Sequence, residues 1–293
     1  MLFPGALGDA VCLEPTLAVL SAEGPVTLCA RGAAAEVAAL FPSRPAVDAI
    51  DRREVAALFR AVGEPAPELD AWLGRFARVV SFTGAGVPEV EARLARHPAA
   101  RALPFPGREG PVHASDAFLR TALGDPGARA RPPRLRVEEP RRPAQRRPRL
   151  GLHPGAGSPR KRLEPSRLAE LARRWREAGG EVSVLLGPAE ADEGELWRGA
   201  GARLERPADV ASLARAIARC DAYLGHDSGP SHVAAALGVK TIVLFVSTSP
   251  QSFGPRGREV HWIEIDCRAD AVSLAWRALE PSRFILDKRQ GRH

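Results

Sequence analysis

Short apolar runs alternate with stretches of helical spacing along almost the whole chain. Met1-Leu2-Phe3 reads as a very short strand, followed by the turn Pro4-Gly5-Ala6, and residues 9–20 carry a helix start and an apolar face. The run VTLC at 26–29 predicts a second strand, 33–41 a helix, the region of 47–50 a short strand, and 53–60 another helix. RVVSF at 78–82 has the pattern of a buried strand ending at Thr83-Gly84-Ala85-Gly86, and helices are expected over 87–96 and 115–123. Strands that alternate with helices predict a parallel sheet, because each crossover must return the chain to the same sheet edge.

Residues 125–149 (DPGARARPPRLRVEEPRRPAQRRPR) interrupt this pattern. Proline removes backbone donors and arginine resists burial, so 126–149 is expected to be a linker between two domains, 1–125 and 150–293. The pattern restarts at LGLH, 150–153. Leu168, Leu171, Ala172 and Trp175 follow helical spacing up to Gly179-Gly180, and VSVLL at 182–186 predicts a buried strand. Helices are expected over 190–198, 209–219, 230–237 and 270–280, and strands at 222–225, 241–246 and 261–265. The expected fold is α/β, with two Rossmann-like parallel-sheet domains facing across a cleft.

Composition narrows the function. The 293 residues suffice for two cores, and an apolar share of 45% is ordinary for a folded chain. Lys and Arg outnumber Asp and Glu by 42 to 35, a formal net charge of +7, which fits attraction to an anionic ligand or membrane surface. No stripe of aromatics interleaves with arginine to stack bases, so no nucleic-acid partner is expected. Cys12, Cys29, Cys220 and Cys267 form neither a CxxC nor a His/Cys cluster, so no metal site and no disulfide framework are expected. Cys29 and Cys220, at the ends of apolar stretches, read as core thiols of a cytoplasmic protein. Asp9 interrupts any signal-peptide pattern, and no apolar run reaches the roughly 18 residues that span a bilayer.

Three loops could carry chemistry. PGALGDA at 4–10 places Gly5 and Gly8 in a tight strand-to-helix turn, where Asp9 either caps the helix or serves as a general base. HPGAGSPRK at 153–161 places Gly155, Gly157 and Ser158 where backbone amides can form an anion nest, with Lys161 as a mobile positive charge. It lacks the ending of a Walker A loop. GHDSGPSHVAAALG at 225–238 puts Asp227, Ser228 and Gly229 after a strand, Pro230 at the start of a small-residue helix, and His232 in its first turn. A capping Asp227 and a hydrogen-bonding His232 compete with a role at an anion, and metal binding by His226, Asp227 and His232 is the lesser alternative. Lys240 sits before a buried strand and is expected to face solvent.

These blocks resemble the family 9 glycosyltransferases, the group of bacterial lipopolysaccharide heptosyltransferases and their relatives. The matching segments are LGDAVCLEP at 7–15, LHPGAGSPRKRLEPSRLAELARRW at 152–175, LLGPAE at 185–190 and YLGHDSGPSHVAAALGVKTIVLFVSTSPQSFGPRG at 223–257. The resemblance implies a GT-B architecture and inverting sugar transfer from a nucleotide-diphosphate donor to a saccharide or lipid-linked glycan acceptor in cell-envelope synthesis. It implies Asp9 as catalytic base, Lys161 on donor phosphate, and Asp227, Ser228, Gly229 and His232 around the diphosphate. It also implies Glu190 on the donor sugar or ribose, with Glu193 as a substitute. The chain departs from the family pattern at Leu163 and Phe253, where Trp is usual, and at Val246, Ser247 and Ser249, where FVSTSP replaces FGPTDP.

Sequence and resemblance agree on chemistry in which Asp9 accepts the acceptor's proton while amides and Lys161 stabilise the leaving diphosphate. No cofactor or metal is required, and magnesium is compatible with the scheme. Peripheral contact with the inner membrane stays open. A non-catalytic nucleotide- or phosphosugar-binding protein and a sugar-nucleotide epimerase of the same fold are the alternatives.

Overall fold

A computed structural model describes residues 1–61, 64–107, 110–138, 147–266 and 270–280. The chain divides into two compact units, Met1–Arg131 and Pro132–His293.

The first unit runs α1 (Leu7–Glu23), β1 (Thr27–Ala30), α2 (Gly32–Ala38), β2 (Ala46–Ala49), α3 (Arg53–Ala56), α4 (Pro67–Leu73), β3 (Val79–Ser81), α5 (Pro88–Leu94), β4 (Ala100–Ala102) and α6 (Ala114–Leu123). β1 pairs with β2 and β3 with β4, all parallel. The expected first strand is reduced to single bridges, Leu2 pairing with Cys29 on one side and Ser81 on the other. That short segment nevertheless joins the two pairs: Leu2 N–H donates to Val80 O at 2.8 Å and Phe3 N–H to Cys29 O at 2.9 Å. Helix α1 has no narrow apolar stripe, because residues from Asp9 through Leu17 are buried continuously. Phe3, Phe82 and Phe118 pack edge to face and close the core above the central segment. α4 and β4 escaped the sequence reading; both are short and flanked by Pro or Gly.

The second unit runs β5 (Arg149–Leu152), α7 (Pro165–Glu177), β6 (Glu181–Leu185), α8 (Gly194–Gly199), β7 (Arg203–Glu205), α9 (Val210–Ala218), β8 (Ala222–His226), α10 (Gly229–Ala236), β9 (Lys240–Phe245), α11 (Pro250–Phe253), β10 (Val260–Glu264) and α12 (Ala271–Leu279). Its six strands are all parallel, in the order β10-β9-β8-β5-β6-β7. Read from β7, this is the 3-2-1-4-5-6 order of a doubly wound sheet, whose strand order reverses between β5 and β8. One sheet face sends Leu150, Leu152, Val182, Val184, Leu224 and Leu244 into a core with Trp175 of α7 and Trp197 of α8, all essentially without solvent exposure.

Two expectations need correction. The 126–149 segment is not an unpacked linker throughout. Arg131 pairs with the buried Glu14 of α1, at 2.7 and 2.8 Å. Leu135 is buried in the second unit, its N–H donating to Ala236 O at 3.0 Å. Ala130 N–H also donates to Asp116 Oδ1 at 2.8 Å, and Ala128 O accepts from Arg120 Nε at 2.9 Å. Residues 139–146 of that segment, like Cys267, lie outside the described residues. Lys240, expected at the surface, is the first residue of β9 and only 4% exposed. Its ammonium reaches Glu280 at 2.8 Å and Glu259 at 3.7 Å, and this pairing makes its burial tolerable. Cys12, Cys29 and Cys220 are buried and form no disulfide.

Candidate functional site

Residues 153–161 follow β5, and residues 227–229 follow β8. The two central glycine-bearing loops therefore leave the carboxyl ends of the two strands that flank the switch point, where doubly wound sheets take their ligands. The structure brings their side chains together. Lys161 Nζ lies 2.6 Å from Asp227 Oδ2, a pair that is mostly buried, and Thr248 Oγ1 donates to the same oxygen at 2.9 Å. Asp227 does not cap α10; that position belongs to Ser228, whose own hydroxyl turns back to His226 O at 3.3 Å. The carboxylate left over from capping is what organises Lys161. Gly229 opens α10, and His232 is buried in its first turn.

A second group forms beneath the 153–158 loop. Glu190, 3% exposed, accepts from Gly187 N–H at 3.0 Å and lies 3.8 Å from Arg162, which also pairs with Glu193. Glu193 accepts from Trp197 Nε1 at 3.3 Å, so it anchors a core tryptophan and Glu190 stands nearer the loop. A Cβ on Gly155 would fall 2.5 Å from Glu190 Oε1 and 2.8 Å from His153 Nε2, so only glycine lets the loop backbone lie on this pair. Gly157 faces open space, and Ser158 Oγ accepts from Arg160 N–H at 3.4 Å, starting a short 3-10 turn that ends on Lys161.

Three residues here are not singled out by the sequence: His153, Arg162 and Thr248. All three lie within the matching segments, but their burial and pairing were not legible, and His226, a metal-ligand candidate in the sequence, has a different setting. His153 Nδ1 donates to Leu185 O at 2.8 Å, and burial lowers its pKa against the opposing pull of that carbonyl and of Glu190. His226 is wholly buried; its Nε2 accepts from Leu163 N–H at 2.9 Å, so the proton sits on Nδ1. That Nδ1 makes no hydrogen bond of ordinary geometry, although the Pro154–Gly155 backbone lies close enough to favour the charged form slightly. Burial, aided by neighbouring His153, pushes His226 down from 6.5 to about 4.

This has a measurable consequence. Unfolded, His226 takes up a proton near its ordinary value, whereas folded it resists until about pH 4. Its contribution is complete above about pH 6.5 and falls away as pH drops toward 4, by up to about 3 kcal/mol. Urea unfolding across that window should show the decline, and His226→Gln, a neutral acceptor, should reduce it, the remainder coming in part from His153. Identical slopes in the two proteins would assign the pH dependence elsewhere.

In the first unit, Gly8 lies in the first turn of α1 and Asp9 is its third residue. Asp9 is 7% exposed, and its Oδ2 accepts from Ala6 N–H at 2.9 Å. The carboxylate therefore does cap the helix start. Among the described residues no group of three or more His, Cys, Asp or Glu side chains could hold a metal ion.

A parallel sheet of this order, with a glycine-bearing loop and a lysine–carboxylate pair at its switch point, defines a Rossmann-like α/β protein. The chain belongs to glycosyltransferase family 9 (heptosyltransferase), whose model matches residues 121–272, just over half of its length. It is a glycosyltransferase. The match takes in both second-unit loops but not Asp9. Among solved structures it resembles a family 9 glycosyl transferase from Veillonella parvula (17% identity, 94% of this chain and 89% of that one, TM-score 0.70). It also resembles E. coli ADP-heptose lps heptosyltransferase II (19%, 95% and 96%, 0.71). A third is E. coli heptosyltransferase WaaC with ADP (16%, 95% and 98%, 0.68). These likenesses establish the GT-B type fold. No curated protein sequence matches the chain. Among the described residues no helix is long and apolar enough to cross a membrane.

Proposed function

We propose that the second unit binds a nucleoside-diphosphate sugar and that the protein transfers the sugar, with inversion, to a saccharide or lipid-linked glycan acceptor of the cell envelope. The observation that carries this reading is the Lys161–Asp227–Thr248 cluster beside the glycine loop at the sheet's switch point. A diphosphate placed there meets the amides of 155–158, the N-terminus of α10 and Lys161, which together offset the charge that grows as the anomeric bond breaks. Glu190, which lies against Gly155, accepts from a ribose or sugar hydroxyl in this scheme. Asp9 takes the acceptor's proton. An adenine nucleotide and a heptose are the first donor to try, in keeping with the ADP of the WaaC complex and the ADP-heptose in the name of E. coli heptosyltransferase II. The scheme uses no metal; magnesium dependence is read by adding chelator to the assay.

The test is a thermal-shift screen against nucleotide sugars, followed by product analysis. A donor that raises the melting point, and whose sugar appears on an acceptor with inverted anomeric configuration, supports the proposal. Epimerised donor without transfer would favour the epimerase reading, and tight binding without turnover a binding protein. Lys161→Ala should weaken donor affinity by roughly 1–3 kcal/mol, since it removes a charge-assisted contact and exposes the phosphate to the Asp227 carboxylate. Calorimetry showing unchanged affinity would take Lys161 out of the site.

A further inference from the structure

At the opposite end of the second unit's sheet, the amino ends of β5, β6 and β7 surround a pocket of about 370 Å³. Four arginines line it, Arg147, Arg149, Arg176 and Arg203, against one carboxylate, Glu181. Register explains the convergence. Arg149 pairs across the strands with Glu181, and Ser183 pairs with Arg203, so side chains of one parity share a single sheet face. Glu181 engages Arg149 at 2.8 Å. Arg203 has 71% of its side chain exposed and lies 3.9 Å from Glu205, which is not part of the lining. Arg176 comes from the end of α7, and its guanidinium lies over Gly201, where a Cβ would sit 1.7 Å from Nη1. Gly201 has φ +69°, so two features of one residue make room for this arginine. On the floor, the hydroxyl of Ser183 is buried without a hydrogen-bond partner.

Nothing in sugar transfer explains this pocket. Ligands of doubly wound sheets bind at the carboxyl ends of the strands, and this pocket is at the amino ends. Like charges gathered around a concavity repel unless an anion joins them, and guanidinium forks match the tetrahedral face of a phosphate. No aromatic side chain lines it, so it offers a base nothing to stack on.

We infer that this arginine pocket is a second anion site, which takes the phosphate-monoester dianion of a ligand other than the donor. The inference stands whether or not the donor proposal holds.

The full chain is titrated with inorganic phosphate by calorimetry at near-physiological salt, beside Arg176→Gln/Arg203→Gln and Lys161→Ala. Phosphate affinity should fall roughly tenfold or more in the double variant and persist in Lys161→Ala. Arg203→Gln alone, at an exposed position, should weaken binding measurably and carries the test if the double variant does not fold. Co-sedimentation with phosphatidylcholine vesicles, with and without phosphatidic acid, then separates the sources. Pelleting that needs both phosphatidic acid and the two arginines assigns a lipid-borne phosphate; phosphate binding without pelleting assigns a free one. The inference is overturned if wild type binds neither probe. It is equally overturned if the arginine variants bind as wild type does, or if Lys161→Ala alone abolishes binding.

Discussion

Asp9→Asn is expected to lower turnover by about 10²–10⁴ while leaving the fold and donor affinity nearly unchanged. The structure sharpens this expectation. Asp9 Oδ2 accepts from Ala6 N–H at 2.9 Å, a bond that the side-chain oxygen of asparagine can also make, so the start of α1 survives the substitution. What asparagine lacks is a site for a proton. Asp9→Ala, by contrast, loses both functions and should cost about 1 kcal/mol of stability in addition. The two variants are compared by melting temperature and by single-turnover rate with a saturating donor. An Asn variant that turns over at the wild-type rate would reduce Asp9 to its capping role and leave the proton transfer to another group.

Arg131→Ala is expected to destabilise the first unit by about 3 kcal/mol. The Glu14 side chain has no solvent exposure, and Arg131 holds both of its oxygens, at 2.7 and 2.8 Å. Removing the guanidinium strips a buried carboxylate of its bidentate partner, whereas removing both charges does not. Glu14→Gln/Arg131→Met should therefore recover much of the loss. Hydrogen exchange over residues 7–23 reports on α1 directly, so unfolding of the second unit does not obscure the result. A loss within about 0.5 kcal/mol of wild type would show that the pair is a surface contact in energetic terms.

The sequence alone determined the succession of elements and most of the residues at the candidate site. Buried parallel strands are apolar throughout, helices such as α7 show their inward stripe, and glycine loops mark the strand-to-helix turns, all through local patterns. Gly155, Lys161 and Asp227 stood out for that reason. What the sequence could not settle was pairing between distant residues. The 3-2-1-4-5-6 order that puts the 153–161 and 227–229 loops side by side comes from long-range strand registers that no local pattern encodes. Only the fold decided that Asp227 holds Lys161 while Ser228 takes the N-cap position of α10, or that Thr248, in a segment that departs from the family pattern, shares the same carboxylate. The same holds for charged side chains in general. Lys240 looked solvent-facing because lysine seldom enters a core, and it enters this one because Glu259 and Glu280 arrive from elsewhere in the chain to meet it. The arginines at the foot of β5 and β7 are 54 residues apart, from Arg149 to Arg203, and read singly they are ordinary surface charges. Strand register, which is set by the burial of apolar neighbours on the opposite face, turns them into one pocket.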